Sequence, residues 1–232
     1  MPRKSFEREL QELQDELLTL GSMVEQAITD SVESLKRRDR DEARRLIKED
    51  RDMNEMRYAL EAKALTLIAT QQPMAGDLRI IAAVLSLASE LERIGDYAKG
   101  IAKINLMMGD EPLLKPLIDV PRMAEKTRSM LNRALQAFAE RDVELARSIP
   151  AEDDEVDGLY NQVYRELLTY IISDPRTIDQ ATYLLWVSHN LERAADRVVN
   201  ICERVIFTVT GRLVEMKSED DKEVTYDQYE AP

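Results

Sequence analysis

The sequence contains few of the residues that cross-link or interrupt a chain. Among its 232 residues there are one cysteine, 7 glycines and 3 phenylalanines. The single cysteine, Cys202, excludes an intramolecular disulfide and favours a cytoplasmic location, where thiols stay reduced. The shortage of glycine and phenylalanine argues against an all-β fold, whereas long stretches rich in Ala, Leu, Glu, Arg and Met favour helices.

Basic charge and long apolar runs are also scarce. The 32 basic residues are outnumbered by 45 acidic ones, which gives a net charge of −13. This balance argues against a nucleic-acid-binding protein, which usually has a basic face, and suits basic partners or multivalent cations. No apolar run approaches the roughly 20 residues of a membrane span, and the polar N-terminus lacks the apolar region of a signal peptide. We therefore expect no transmembrane segment.

Apolar residues recur at three- and four-residue steps through most of the chain, which predicts amphipathic helices. The predicted helices span about 6–35, 39–70, 75–108, 122–139, 142–172 and 177–210. Asp39 fits a helix N-cap, with Glu42 as its capping-box partner, and Asp142 fits a second N-cap. Pro150 should interrupt the fifth helix just before Asp153.

These six helices form two sets of three that are related by an internal repeat. Asp39 and Asp142 are 103 residues apart, whereas Leu91 and Leu191 are 100 apart, because an intervening loop differs by three residues. We predict an all-α fold of two pseudo-symmetric three-helix bundles. The expected divisions are an N-terminal bundle (1–108), a proline-rich linker (109–121), a C-terminal bundle (122–211) and a disordered acidic tail (212–232).

Pairs of oxygen-bearing residues, four positions apart, interrupt the apolar pattern of four helices. They are Asp50 and Asn54, Glu92 and Asp96, Asp153 and Asp157, and Glu192 and Asp196. Residues at this spacing lie on one face of a helix. Each half therefore offers two pairs from neighbouring helices, and such clustered oxygen donors suit Mg²⁺, Mn²⁺, Ca²⁺, iron or Zn²⁺. We predict a metal site in each half.

A simpler interpretation is that these acidic residues belong to solvated helix faces. Acidic pairs at this spacing are common there, and Arg93 or Arg193 could neutralise them in ordinary salt bridges. The repetition in register favours the metal sites. His189 precedes Glu192 by three positions and could share its face, although a lone histidine is more often a polar group near a helix surface.

Several segments together resemble the PhoU family of phosphate-uptake regulators over nearly the whole chain. They include LGSMVEQAI at 20–28, QQPMAGDLR at 71–79, ELERIGD at 90–96 and LERAADRVVNICE at 191–203. The resemblance implies two three-helix bundles with metal sites at the paired residues, where Asn54 replaces one carboxylate by an amide. It also implies a cytoplasmic, homodimeric accessory protein that represses phosphate uptake and the phosphate-starvation response. Its implied partners are the ATPase subunit of a phosphate ABC transporter and a phosphate-sensing membrane histidine kinase.

Two other functions remain open beside this non-enzymatic regulator: a two-metal hydrolase and a metal-free helical adaptor. Di-iron bundles use Glu-x-x-His twice, and this chain has one histidine in total, so that arrangement cannot be built. The sequence also has no nucleophile beside a base and no glycine-rich phosphate loop. These absences favour the regulator over the enzyme.

Overall fold

The computed structural model describes residues 2–216, with side chains from residue 4 onward. The described chain is all-α, as predicted, and consists of six long helices and one short one. They are α1 (Pro2–Arg37), α2 (Arg40–Gln71), α3 (Ala75–Met107), α4 (Asp119–Glu140), α5 (Val143–Ser148), α6 (Asp153–Ser173) and α7 (Ile178–Thr210). Short 3-10 segments at Pro150–Glu152 and Pro175–Thr177 precede α6 and α7.

Aspartate caps the start of α2 and of α5, as the sequence predicts. Asp39 accepts hydrogen bonds from two backbone N–H groups in the first turn of α2, at 3.1 and 2.9 Å, and Asp142 accepts one at 2.9 Å. The prediction that Glu42 completes a capping box with Asp39 is wrong. The Asp39 N–H donates to the Ser34 carbonyl at 2.9 Å, so Glu42 pairs with Arg45 instead.

The two halves of the chain repeat one three-helix arrangement. Helices α4 and α7 correspond to α1 and α3, while α5, the 3-10 segment and α6 together correspond to α2. Pro150 interrupts this composite element as predicted, because proline cannot continue a helix interior, and α6 restarts at Asp153. Buried positions match across the repeat, as for Leu60 and Val163, which are 103 residues apart.

Corresponding helices pack against one another across the middle of the molecule, α3 along α7 and α1 along α4. Asn200 Nδ2 donates to Glu90 Oε2 at 3.4 Å. The reciprocal pair is Asn190 and Gly100, where a Cβ would come within 3.0 Å of the asparagine amide nitrogen. Reciprocal contacts of this kind are those of a two-fold relation. One continuous cluster of buried apolar side chains spans both halves, so the two bundles share a core.

The segment between the bundles is held against the C-terminal half. Helix α4 begins at Asp119, three residues before the predicted start, because Pro121 falls in the first turn, where its missing N–H is not needed. The buried Lys115 forms an ion pair with Glu166 of α6, and Asp119 Oδ2 accepts a hydrogen bond from Gln162 at 3.2 Å. These contacts position the N-terminus of α4 beside α6.

Residues 212–216, which follow α7, leave the helical conformation but stay on the protein surface. Val214 and Met216 pack against the core, and the Met216 N–H donates to Glu203 Oε1 at 2.7 Å. The rest of the predicted acidic tail, 217–232, lies outside the described residues.

Candidate functional site

The paired acidic residues lie where the second and third elements of each half meet. In the N-terminal half, Asp50 and Asn54 are on α2 and Glu92 and Asp96 are on α3; we call these four residues the N-terminal set. In the C-terminal half, Asp153 and Asp157 are on α6 and Glu192 and Asp196 are on α7; these form the C-terminal set. The two sets differ in how their negative charge is compensated.

A lysine joins the two helices at the N-terminal set. Lys99 Nζ lies 2.6 Å from Asp50 Oδ2 and 3.0 Å from Asp96 Oδ1, so it bridges α2 and α3. Asn54 Nδ2 donates to the same Asp50 oxygen at 3.0 Å, while Glu92 lies one turn before Asp96 and is partly buried. The hydrogen bond to Asp50 raises the pKa of Lys99, against the lowering effect of burial, so the ammonium group stays charged.

The C-terminal set surrounds a buried carboxylate. Asp153 is 5% exposed, and its Oδ1 has no hydrogen-bond partner within the described chain. Burial, followed by repulsion from Asp157, Asp196 and Glu192, raises the pKa of the Asp153 carboxyl to about 7. The Asp153 carboxyl therefore interacts electrostatically with the other three carboxylates of the set.

An arginine offsets part of the negative charge of the C-terminal set. Arg193 forms an ion pair with Asp196 and also interacts with the Tyr97 side chain of α3. Burial and the charge of Asp196 raise the pKa of Glu192, although Arg193 acts in the opposite direction. Glu192 Oε2 is buried and accepts no hydrogen bond from any residue that the structure describes. The alternative of ordinary salt bridges therefore holds for Asp196 but leaves Asp153 and Glu192 undercompensated.

His189 lies at the edge of the C-terminal set. Its side chain is 53% exposed, and its Nδ1 is 3.3 Å from Glu192 Oε2 without forming a hydrogen bond. Its ring packs against Tyr160, with 6.0 Å between ring centroids. This arrangement makes His189 a surface neighbour of Glu192.

The C-terminal set suits a hard cation by its donor chemistry, since all four residues offer carboxylate oxygens. Among residues 4–216, whose side chains the structure describes, no three His, Cys, Asp or Glu side chains are grouped closely enough to hold a metal ion. Coordination by all four residues therefore requires side-chain rotation, including release of Asp196 from Arg193.

Lys99 is the site residue that the sequence prediction missed. It follows Asp96 by three positions, and opposite charges at this spacing meet on a helix surface. That signal predicts the contact within α3 but not the contact with Asp50, which depends on how α2 packs on α3. The counterpart of Lys99 in the repeat is Val199, which is 9% exposed.

The chain is similar to proteins of one family along nearly its whole length. The family model described as PhoU domain matches residues 17–104 and 120–205, once in each half. A Clostridium acetobutylicum relative, named phosphate-specific transport system accessory protein PhoU homolog, is 38% identical over 217 residues, which cover 93% of this chain and 99% of the relative. The phosphate-specific transport system accessory protein PhoU of Escherichia coli (strain K12) is 35% identical over 207 residues, which cover 89% and 86% of the two chains.

Two solved structures have the same fold. The phosphate transport system regulatory protein PhoU from Streptococcus pneumoniae matches with a TM-score of 0.84 and 32% identity, covering 91% of this chain and 100% of that one. PhoU from Pseudomonas aeruginosa matches with a TM-score of 0.85 and 33% identity, covering 89% of this chain and 100% of that one. The resemblance seen in the sequence is confirmed by these matches, and the chain belongs to the PhoU family.

Proposed function

We propose that the C-terminal set is a metal centre. The observation that carries the proposal is the buried Oδ1 of Asp153, which has no hydrogen-bond partner among the described residues and is repelled by neighbouring carboxylates. A buried carboxylate without a donor or a cation is strongly unfavourable. Asp153 is therefore placed to accept a cation.

The ion that suits this centre is a divalent or trivalent cation that prefers oxygen ligands, such as Mg²⁺, Mn²⁺, Ca²⁺, iron or Zn²⁺. When bound, it supplies the positive charge that the site lacks. Asp153 and Asp157 would hold it from α6, and Glu192 and Asp196 from α7. These residues would thereby fix the two helices relative to each other. We do not extend the proposal to the N-terminal set, where Lys99 already pairs with Asp50 and Asp96.

Metal analysis of the purified protein tests the centre. After removal of metals with a chelator and dialysis against Mn²⁺, we expect bound Mn²⁺ in the wild type, less in Asp153→Ala and in Glu192→Ala, and an unchanged amount in Asp154→Ala. Asp154 is the matched control because it neighbours Asp153 on the exposed face of α6. No Mn²⁺ above background and no change in melting temperature on its addition would count against a metal centre.

We further propose that the protein represses phosphate uptake and the phosphate-starvation response from the cytoplasm. The support is family membership, since the relatives are named accessory proteins of a phosphate-specific transport system. Its proposed partners are the ATPase subunit of a phosphate ABC transporter and a phosphate-sensing membrane histidine kinase. No helix in the described part of the chain has the length and apolar character of a membrane span.

A deletion strain tests the regulatory role. Phosphate-starvation genes are expected to be expressed in phosphate-rich medium after deletion and to be repressed again by the wild-type chain. If the metal centre is needed for regulation, Asp153→Ala should fail to restore repression, whereas Asp154→Ala should restore it. Unchanged expression after deletion would contradict the regulator.

The two alternative functions have their own tests. A two-metal hydrolase would show phosphatase or ATPase turnover on Mn²⁺-loaded protein that Asp196→Ala abolishes. A metal-free adaptor would restore repression while binding no metal. We propose a non-enzymatic protein, since family members are named as accessory or regulatory proteins.

A further inference from the structure

The ammonium group of Lys99 occupies the place between α2 and α3 where the N-terminal set would hold a cation. It contacts one carboxylate from each helix, Asp50 at 2.6 Å and Asp96 at 3.0 Å. The Asp50 side chain is only 8% exposed and that of Lys99 23%, so water screens the pair weakly. A charged donor in such a setting forms a short, strong hydrogen bond.

The internal repeat shows that the fold does not require a lysine at this position. Its counterpart, Val199, is an apolar residue at the same place on α7. The N-terminal set also has Asn54 where the C-terminal set has Asp157. With the paired Lys99 and Arg193 both included, the N-terminal residues carry a formal charge of −2 and the C-terminal residues −3. Both differences reduce the attraction of the N-terminal set for a metal ion.

We propose that Lys99 is the resident cation of the N-terminal set and excludes a metal ion from it, so that the chain has a single metal centre, in its C-terminal half. The exclusion of metal by Lys99 is argued from the contacts of its ammonium group. The single metal centre in the C-terminal half rests on the proposed function of the C-terminal set. A tethered ammonium group is always present at its site, so a metal ion can enter only by displacing it from both carboxylates. The displaced ammonium group would also repel the ion.

Copying the C-terminal residues into the N-terminal half tests this proposal. Mn²⁺ bound per chain is measured by equilibrium dialysis and elemental analysis for the wild type, Lys99→Val, and Lys99→Val combined with Asn54→Asp. We expect the double variant to bind twice as much Mn²⁺ as the wild type. Lys99→Arg is the matched control, because it retains a cation and should bind no more than the wild type.

Combining the same changes with Asp153→Ala assigns the new site to the N-terminal half. Asp153→Ala alone should lower the amount of bound Mn²⁺, and adding Lys99→Val and Asn54→Asp should raise it again. Lys99→Gln serves in place of Lys99→Val if the valine variant loses helical circular dichroism. Equal Mn²⁺ in the wild type and the double variant overturns the proposal. Mn²⁺ bound by the double variant but not by the wild type supports the role of Lys99 and refutes the C-terminal centre.

Discussion

Replacing Asp153 with asparagine is expected to stabilise the metal-free protein, by an amount that grows as the pH rises. The folded protein raises the pKa of this carboxyl from 3.8 to about 7, chiefly through burial and then through Asp157, Asp196 and Glu192. The folded chain therefore binds the proton more tightly than the unfolded chain does. By linkage, the wild type loses stability as the pH rises from about 4 to about 7, and the loss is complete above that window.

The magnitude follows from the size of the shift. Each pKa unit corresponds to about 1.4 kcal/mol, so a shift of roughly three units makes the ionised Asp153 cost on the order of 4 kcal/mol above pH 7. Asparagine has the same shape and carries no charge at any pH. Between about pH 5 and about pH 8, the advantage of Asp153→Asn over the wild type should therefore widen by roughly 3 kcal/mol.

Urea denaturation followed by circular dichroism provides the assay, with a chelator present throughout. At a slope of about 2–3 kcal/mol per M, the expected difference displaces the unfolding midpoint by roughly 1 M between the two pH values. If the difference in unfolding midpoint between Asp153→Asn and the wild type does not change with pH, ionisation of the Asp153 carboxyl does not control stability and the reasoning is refuted.

The equivalent change in the N-terminal half, Asp50→Asn, is the matched control. Asp50 is paired with Lys99 at 2.6 Å, so neutralising it weakens a charged hydrogen bond. We expect this substitution to destabilise the protein by about 1–3 kcal/mol. If both substitutions change stability in the same direction, the contrast drawn between the two sets is wrong.

Three further predictions concern packing and reactivity. Gly158→Ala in α6 should raise the free energy of unfolding by about 0.5–1 kcal/mol, because a Cβ there meets no atom of the described residues within 4 Å and alanine favours the helix; a loss of stability would contradict this. Leu91→Ala should lower the free energy of unfolding, measured by urea denaturation, by about 2–5 kcal/mol, since Leu91 is fully buried. A loss below about 1 kcal/mol would contradict the close packing of this side chain. Burial raises the pKa of the Cys202 thiol to about 12, so a thiol reagent should label it only after denaturation.

Much of the fold is predictable from the sequence because helix signals are local. Apolar periodicity identifies the long helices, the aspartates at 39 and 142 are N-caps, and the break at Pro150 follows from proline stereochemistry. The two errors in the helix boundaries and caps arise where another local interaction or conformation is preferred to the predicted one. Glu42 pairs with Arg45 rather than completing the capping box, and α4 begins earlier because its first turn tolerates Pro121.

The candidate site is predictable only in part. Helical spacing places each acidic pair on one face, and the repeat relates the pairs on α2 and α3 to those on α6 and α7. The presence of Lys99 between Asp50 and Asp96 depends on the packing of α2 against α3. Such a contact joins residues 49 positions apart, and no local pattern encodes it.

The sequence alone therefore determines the helices, their repetition and the residue types at each site, because these depend on neighbours within one or two turns. The tertiary structure decides which carboxylate is compensated and which is not. Asp50 lies within 2.6 Å of an ammonium group, whereas the equivalent Asp153 is buried among like charges. Coulomb energy and desolvation depend on distance and burial in three dimensions, so two nearly identical motifs acquire opposite electrostatic properties only when the chain is folded.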